Sequence, residues 1–397
     1  MSRPLRLLRT LVTRLGFAVG RLRPVRRSVV LATSHTAGLT GNLAWVRAEL
    51  ERRDPPIPFT VVTPGRRRSP LDLLSSTFRA GYHLATARVF VVDDYFFPMY
   101  VIRPRAGTMR VQVWHAAGAF KKFGYSVIDK GFGADADLVE KVPIHSNYDL
   151  ALVSSMSVAR FYAEAFNASP AIFTSAIGIP RTDLLANPAL RAEAEAAVRA
   201  RYPAIAGRKV VLYAPTFRGT SIGHARHADL MDLDAMRRVL GHGWVVLLKL
   251  HPFVRRGLRI PSGLETFAID ASAEPDVNEL MLVSDVLVSD YSSVIYEFAL
   301  LGRPILFLAP DEDAYDLERG FYFDFRADAP GPIFDTTEAL AEAIRVGDHD
   351  LERVRAFAAA SFDVTDGHAT PRFVDRVLVP ALEGRPVTAA DLAPPGA

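Results

Sequence analysis

The sequence of 397 residues contains no cysteine. Disulfide frameworks, thiolate nucleophiles and zinc sites with cysteine ligands are therefore excluded, and a reducing compartment is weakly favoured. Lysine is scarce, with six lysines among 47 basic residues, and no apolar run is long enough to span a bilayer. The GxGxxG fingerprint is also missing, which argues against a nicotinamide or flavin enzyme.

Positive charge is concentrated at the N-terminus. Residues 1–27 carry eight arginines and no acid, while the whole chain has a formal net charge of only +3. The remaining 370 residues therefore carry 39 basic and 44 acidic side chains, a net charge of −5. Because this body is slightly acidic and contains no nucleic-acid motif, we expect no nucleic-acid partner.

The segment 1–27 has the pattern of a basic amphipathic helix. At 100° per residue one face collects apolar residues and the opposite face collects arginines, while Leu7 and Phe17 break the pattern. The apolar face comprises Leu5, Leu8, Leu11, Val12, Leu15, Val19 and Leu22, and the basic face comprises Arg3, Arg6, Arg9, Arg14 and Arg21. Such a helix suits an anionic membrane surface. A disordered or core-docking arm is the alternative, and a secretory signal is disfavoured because arginines interrupt the apolar run.

From Ser28 onward, short apolar strands alternate with helical patterns, and the alternation restarts after an alanine-rich helix at 189–200. This predicts an α/β protein with two Rossmann-like domains and a cleft between them. The expected divisions are an N-terminal acceptor domain at 28–205, a C-terminal domain at 206–382 with closing helices, and a flexible tail at 383–397. Ligands in such folds bind at the carboxyl ends of strands.

Polar side chains are indeed clustered at four predicted strand ends. His115 ends one strand, and the others are followed by APTFRG (214–219), KLHP (249–252) and SDYSS (289–293). Residues that merely built a core would be scattered, so this grouping indicates one shared site.

The segment SDYSS leads directly into a predicted helix. Ser292 and Ser293 beside Asp290 are placed to bind a phosphate at the helix N-terminus, with simple capping as the alternative. Glu297, about one turn later, is a candidate for ribose hydroxyls or else a solvated carboxylate.

Other candidates lie in the neighbouring loops. His251 is placed to hold a phosphate oxygen or protonate a leaving group, and Arg218 near Thr216 is a candidate phosphate fork. Arg181 is a further basic candidate near the domain junction; the alternative for Arg181 and Asp183 is that they form an interdomain salt bridge. Lys121 and Lys122 either guide a polyanionic acceptor, or one of them is only a solvated helix cation.

These motifs together resemble the CDP-glycerol:poly(glycerophosphate) glycerophosphotransferase family, the polymerases and primases of teichoic acids and related capsule polymers. The resemblance covers roughly residues 28–380. It rests on WHAAGAFKKFG, GIPRTD, LYAPTFRG, KLHP, SDVLVSDYSSVIYEFALLGRPILFL and RGFYFDF, which occur in this order. It implies a GT-B-like fold and peripheral attachment to the cytoplasmic face of the membrane.

The resemblance also implies roles for individual residues. His115 matches a histidine proposed as the general base for the acceptor hydroxyl, and His251 matches a second essential histidine. The segment Asp290 to Ser293 matches the part that holds the CDP diphosphate, with Arg218 and Arg181 as nearby basic residues. Ala116, Ile179 and Thr182 depart from the common family pattern, which leaves the acceptor open.

The sequence therefore predicts an enzyme that transfers glycerol phosphate or ribitol phosphate from a CDP-alditol to a lipid-linked or polymeric acceptor, releasing CMP. No cofactor and no obligatory metal are expected, because protein cations and dipoles can stabilise the phosphates. The alternatives are a GT-B glycosyltransferase or sugar-nucleotide epimerase and, in another class, a non-catalytic membrane-associated scaffold. Oligomeric state stays open.

Overall fold

The computed structural model divides the chain into two compact units. The first unit contains Met1–Ala117, Ala134–Asp183 and Phe362–Ala397, and the second contains Gly118–Gly133 and Leu184–Ser361. The described residues are 3–34, 36–64, 69–128, 130, 136–219, 225–228, 230–251, 254, 260–385 and 387–393.

The first unit is built on a parallel sheet of six strands in the order β2-β1-β3-β4-β5-β6. The strands are β1 (Arg26–Ala32), β2 (Phe59–Val62), β3 (Ala87–Val92), β4 (Met109–Gln112), β5 (Leu150–Leu152) and β6 (Phe173–Thr174). Val29–Ala32 in β1 is buried without alternation, which is typical of a parallel strand covered on both faces.

The helices of the first unit are α1 (Arg3–Arg21), α2 (Gly41–Arg52), α3 (Pro70–Thr86), α4 (Phe97–Tyr100), α5 (Ala136–Lys141), α6 (Met156–Phe166), α16 (Ala369–Phe373), α17 (Val379–Leu382) and α18 (Ala389–Leu392). A π-helical turn, Val374–Leu378, joins α16 to α17.

The second unit repeats the design with a parallel sheet in the order β12-β11-β10-β7-β8-β9. Its strands are β7 (Lys209–Tyr213), β8 (Trp244–Leu248), β9 (Ala268–Asp270), β10 (Val286–Ser289), β11 (Ile305–Leu308) and β12 (Ile333–Phe334). Its helices are α8 (Pro188–Arg201), α9 (Leu233–Leu240), α10 (Val277–Leu282), α11 (Val294–Ala299), α12 (Glu312–Arg319), α13 (Phe325–Asp328), α14 (Thr337–Val346) and α15 (Leu351–Ser361), and α7 (Asp183–Ala186) spans the division between the units. The predicted pair of Rossmann-like sheets is confirmed.

The helix α1 packs on α3 through glycines that let the two backbones approach closely. A Cβ placed on Gly81 of α3 would lie 2.1 Å from the carbonyl oxygen of Thr13, and one on Gly16 would lie 2.2 Å from that of Phe78. Both contacts are too short for any side chain. The predicted helix exists, therefore, and it docks on the body.

Three arginines of the basic face of α1 contact the rest of the first unit. Arg6 is buried, the Arg9 guanidinium stacks 4.7 Å from the ring centroid of Phe97, and Arg14 Nε donates to the Val101 carbonyl. The apolar side chains point outward instead. We call this surface the leucine face; its members are between 37% and 83% exposed and are Leu5, Leu8, Leu11, Leu15, Val19 and Leu22. No helix in the described part of the chain is long and apolar enough to cross a membrane.

The C-terminal helices pack in the first unit, which differs from the predicted division at 382. Phe373 and Val377 are fully buried in the same apolar cluster as Val29 of β1. The predicted flexible tail also contributes, because α18 places Leu392 in this cluster with 2% of its surface exposed. Apolar periodicity predicted these helices but could not specify which sheet they cover.

Two segments of the predicted N-terminal domain belong to the second unit. Phe120 packs edge-on against Phe321, Phe323 and Phe325, with ring centroids 4.9 to 5.8 Å apart. Arg201 at the end of α8 pairs with Glu274 and Glu279, at 2.7 and 2.6 Å. The division therefore comes at Asp183, before α8.

Candidate active site

His115 follows the carboxyl end of β4 in the first unit. Trp114, immediately before it, has a positive φ of 48°, a conformation that costs a non-glycine residue about 1–3 kcal/mol and persists where its surroundings impose it. The Gln112 side chain accepts a hydrogen bond from the Trp114 backbone N–H at 2.9 Å. This contact helps to hold the bend that sets the direction of His115.

Asn42 in α2 holds the same bend from the other side, and sequence reasoning missed it. Its Nδ2 donates to the carbonyls of Val113 and Trp114, at 2.9 and 2.7 Å. Its Oδ1 accepts from the backbone N–H of Arg181 at 3.0 Å. One buried amide therefore connects the His115 bend with the loop that contains Arg181, so the structure brings these two predicted positions into one network.

Asp94 is the carboxylate partner of His115, and it was also missed. His115 Nδ1 lies 3.3 Å from Asp94 Oδ2 and 3.3 Å from the Asp93 carbonyl oxygen. A carbonyl oxygen accepts hydrogen bonds and cannot donate them, so Nδ1 carries the proton in this arrangement. In the neutral ring Nε2 then has the lone pair. The His115 side chain is 53% exposed, which suits a base that must meet a substrate.

An aromatic cluster packs behind His115. The Trp114 ring centroid lies 4.7 Å from that of His115 and 5.5 Å from that of His145, which in turn stacks on Phe166 at 4.3 Å. Burial lowers the pKa of His145 to about 3, against a smaller opposing effect of Asp94. His145 therefore stays neutral at physiological pH and serves as a packing residue.

In the second unit, three predicted positions meet at the carboxyl ends of the adjacent strands β10 and β7. Asp290, fully buried, accepts hydrogen bonds from the backbone N–H and the hydroxyl of Thr216, at 2.8 and 2.9 Å. It also accepts one from Arg218 Nη1 at 2.9 Å. The sequence prediction that these residues share one sheet edge agrees with this geometry.

Arg218 has a second carboxylate partner. Its Nε and Nη2 donate to the two oxygens of Asp311, at 2.7 and 3.0 Å, and Tyr291 also donates to Asp311. Burial acts to lower the pKa of Arg218, but hydrogen bonds and charge from Asp311 and Asp290 raise it overall. The structure thus gives Arg218 protein partners on two edges, which fix the loops around Thr216 and Asp290. The role of Arg218 as a phosphate fork stays a prediction.

His251 follows β8, the strand next to β7, and its ring centroid lies 4.8 Å from that of Phe217. The preceding Lys249 is turned away from solvent and donates to the carbonyls of Ser272 and Glu274, at 2.9 and 2.7 Å. Lys249 therefore anchors the strand end. Half-buried His251 is placed beside the loop of Thr216 and Arg218.

The serines precede α11, which has six residues. Ser293 occupies the N-cap position without a side-chain capping bond, and Ser292 Oγ accepts from the Val294 N–H at a long 3.5 Å. Both are half-buried, whereas Glu297 is fully buried. The alternative of a solvated carboxylate at Glu297 is therefore wrong, and simple capping does not explain Ser293.

The remaining predicted residues are Asp183, at the first position of α7, and the lysines Lys121 and Lys122. Asp183 accepts from the backbone N–H groups of Ala369 and Thr370, at 2.8 and 2.7 Å, so its carboxylate fixes the C-terminal helices of the first unit. Lys121 and Lys122 are half-buried outside any helix; Lys121 pairs with Phe321 in an isolated bridge and stacks 5.9 Å from the Tyr315 ring centroid. The alternative of solvated helix cations is therefore wrong for both lysines.

The described residues contain no group of three or more histidine, aspartate or glutamate side chains arranged to hold a metal ion.

Comparison with known proteins supplies the family. The model of the CDP-glycerol:poly(glycerophosphate) glycerophosphotransferase family matches residues 18–379. The chain belongs to this family. The predicted CDP-alditol phosphotransferase is confirmed at the level of the family.

Relatives and solved structures agree with the family assignment. The teichoic acid ribitol-phosphate primase of Bacillus spizizenii is 38% identical over 367 residues, which are 89% of this chain and 92% of that protein. The teichoic acid poly(ribitol-phosphate) polymerase of the same organism is 35% identical over 96% of this chain, but this chain spans 61% of its length. The structure of the wall teichoic acid polymerase TagF superposes with a TM-score of 0.76 at 22% identity, covering 96% of this chain and 97% of that one, which shows the shared fold.

Proposed function

We propose that this protein transfers an alditol phosphate from a CDP-alditol to a hydroxyl of a teichoic-acid or capsule-type acceptor and releases CMP. The observation that carries the proposal is His115 at the end of β4, with Nδ1 directed to Asp94 and the Asp93 carbonyl. This arrangement supports Nε2 as the proton acceptor for the attacking hydroxyl, in a chain that belongs to a CDP-alditol phosphotransferase family.

The reaction joins the acceptor oxygen to the β-phosphorus of the donor and breaks that phosphorus–oxygen bond to CMP. His115 takes the proton of the hydroxyl, and CMP leaves with the electron pair of the broken bond. Phosphoryl transfer depends on positioning and charge stabilisation more than on covalent chemistry. In this proposal His251, Ser292 and Ser293 contact the donor phosphates, Arg181 adds positive charge, and the two lysines Lys121 and Lys122 attract a polyanionic acceptor.

Ribitol phosphate is the favoured group, because the two relatives described above are named for ribitol phosphate. The family description names CDP-glycerol, so glycerol phosphate is the competing group. CDP-ribitol and CDP-glycerol supplied separately with candidate lipid-linked acceptors decide between them through CMP release and product length.

The central experiment compares His115→Ala with His242→Ala. His242 is an exposed histidine of the second unit whose ring contacts Arg237, so it is a matched control. We expect His115→Ala to lower CMP release at least about 100-fold, the usual contribution of general acid–base catalysis, and His242→Ala to leave it unchanged. Normal turnover by His115→Ala would refute the base. Release of UDP from a UDP-sugar, without CMP release, would instead support the glycosyltransferase or epimerase alternative.

The leucine face attaches the protein to the cytoplasmic face of a membrane in this proposal. Six outward apolar side chains on a docked helix are more than a water-exposed surface retains without a partner. Glutamine in place of Leu11, Leu15 and Leu22 removes about 3 kcal/mol or more of apolar burial, so vesicle binding should fall about 100-fold or more. Unchanged sedimentation with vesicles would contradict this attachment.

A further inference from the structure

A cavity of about 880 Å³ lies beside α1 in the first unit. One side is formed by α1 itself, and the other by residues 100–104 and 141–147, which precede β4 and β5. None of the predicted site residues lines it. The cavity is thus separate from the residues assigned to the reaction.

The lining is strongly basic. Six cationic side chains line the cavity, and no aspartate or glutamate is among the described residues that line it. The cations are Arg3, Arg6, Arg14, Arg21, Arg103 and Lys141. A wall with this excess of positive charge attracts anions, so its composition favours an anionic ligand.

Two of the arginines fix the wall and three face solvent. Arg6 is 6% exposed, and Arg14 Nε is held by the Val101 carbonyl at 3.0 Å. The side chains of Arg3, Arg21 and Arg103 are exposed and have no acidic partner within the described part of the chain. Planar guanidinium groups form paired hydrogen bonds with phosphate oxygens, which makes phosphate the anion that this wall fits best.

The cavity also has an apolar side that is continuous with the leucine face. Leu7, Phe17 and Ile102 line it together with the cations. Leu7 is 61% exposed and lies on the same helix as the leucine face, so it connects the cavity to that surface. A ligand with a phosphate at one end and an acyl chain at the other satisfies both parts of the lining.

We infer that this cavity binds the phosphate headgroup of an anionic membrane phospholipid. The inference rests on the proposed attachment through the leucine face, and it adds a specific lipid site to that attachment. A headgroup bound in this cavity holds α1 and the rest of the first unit against the same membrane. Tyr100, which lines the cavity, also contacts His145 with ring centroids 6.0 Å apart, so the site adjoins the aromatic cluster behind His115.

The test uses a short-chain lipid that dissolves in water as single molecules, so no membrane is present. Dihexanoyl-phosphatidylglycerol below its micelle concentration is titrated into the full-length protein by calorimetry. The cavity variant R3Q/R21Q/R103Q is compared with R23Q/R26Q/R27Q, which removes the same charge from exposed arginines that do not line the cavity. We expect saturable binding that weakens about tenfold or more in the cavity variant and less than about twofold in the control, because guanidinium–phosphate pairs act at short range.

Each outcome is decisive. Absence of saturable binding by the unmodified protein, or equal loss in both variants, would overturn the cavity site. Equally tight binding of dihexanoyl-phosphatidylcholine would overturn the selectivity for an anionic headgroup, and equally tight binding of inorganic phosphate would overturn the assignment to a lipid.

Vesicles test the proposed attachment separately. The variant L11Q/L15Q/L22Q should lose binding to phosphatidylglycerol vesicles and keep binding of the soluble short-chain lipid, since these leucines do not line the cavity. If the unmodified protein bound the short-chain lipid but no vesicle, the attachment would fail while the cavity site stood.

Discussion

Replacing Asp94 by asparagine removes the negative charge 3.3 Å from His115 Nδ1 and keeps the size of the side chain. The Asp93 carbonyl, at the same distance, still accepts from Nδ1 in the variant. The imidazole ring of His115 therefore keeps its proton on Nδ1 in the variant. The loss of CMP release should then reflect the missing charge and not a change of tautomer.

The size of this loss follows from the distance and the exposure. Two unit charges about 4 Å apart attract by about 1 kcal/mol in water and about 4 kcal/mol at an effective dielectric constant near 20. His115 is 53% exposed and Asp94 17% exposed, so the smaller value is closer. A loss of about 1–2 kcal/mol in stabilising the imidazolium lowers kcat by about five- to thirtyfold.

The assay measures CMP release against pH for the unmodified protein, Asp94→Asn, His115→Ala and the double variant. Without the carboxylate the protonated ring is less favoured, so the acidic limb of the kcat profile should move to lower pH. Asp94→Asn should have no further effect in the His115→Ala background. An unmoved limb, or the same fold loss in both backgrounds, would refute the positioning role of Asp94.

Three other predictions concern stability. Burial depresses the pKa of His145 to about 3, so below about pH 6.5 the unfolded state binds a proton that the folded state does not. The free energy of unfolding should therefore fall by about 2 kcal/mol from pH 7 to pH 5 through this group. His145→Gln should reduce this pH dependence in urea titrations. Gly81→Ala places a Cβ 2.1 Å from the Thr13 carbonyl, so proteolysis should release α1, whereas the control Gly243→Ala meets nothing within 4 Å and should not. Asp311→Asn breaks the ion pair with Arg218 and should lower the free energy of unfolding by about 1–2 kcal/mol at pH 7. Burial acts to raise the pKa of Asp311, but Arg218 lowers it overall, so the contribution of the pair is lost as pH falls below about 4. Equal unfolding midpoints of the variant and the unmodified protein at pH 7 would contradict this prediction.

Strand positions could be read from sequence where the strands are long and central. The runs that became β1, β3, β7 and β10 are buried along most of their length, so continuous hydrophobicity identifies them. The edge strands β6 and β12 have two residues each, which is too short for a periodic signal. Both escaped prediction for that reason.

Site residues could be predicted where the signal is a polar group at a strand end. His115, His251 and Asp290 follow this rule. Asn42 lies inside an ordinary helix, and its role depends on a contact with residues 71 and 72 positions away, which no local pattern contains. The role of Asp94 could not be predicted from the sequence either, because the adjacent Asp93 is an equally good candidate for the carboxylate partner of His115.

Chemical roles were harder to predict than positions. The sequence predicts a phosphate-binding cation at Arg218, and the structure pairs this arginine with Asp311 and Asp290. Asp311 follows β11 and lies 93 residues after Arg218 in the chain. The motif around Arg218 therefore does not predict this partner. Charge pairing across such a separation is decided by the fold.

The burial of Phe373, Val377 and Leu392 against β1 has a consequence for how the chain folds as it is made. Residues Phe362–Ala397 of the first unit are synthesised after Ser361, the residue at which the second unit is complete. Because domains fold as units during synthesis, we expect the second unit to fold first. Until the C-terminal helices are made, the sheet of the first unit keeps part of its apolar surface uncovered. A ribosome stalled near residue 365 should therefore carry a protease-resistant second unit and a protease-sensitive first one.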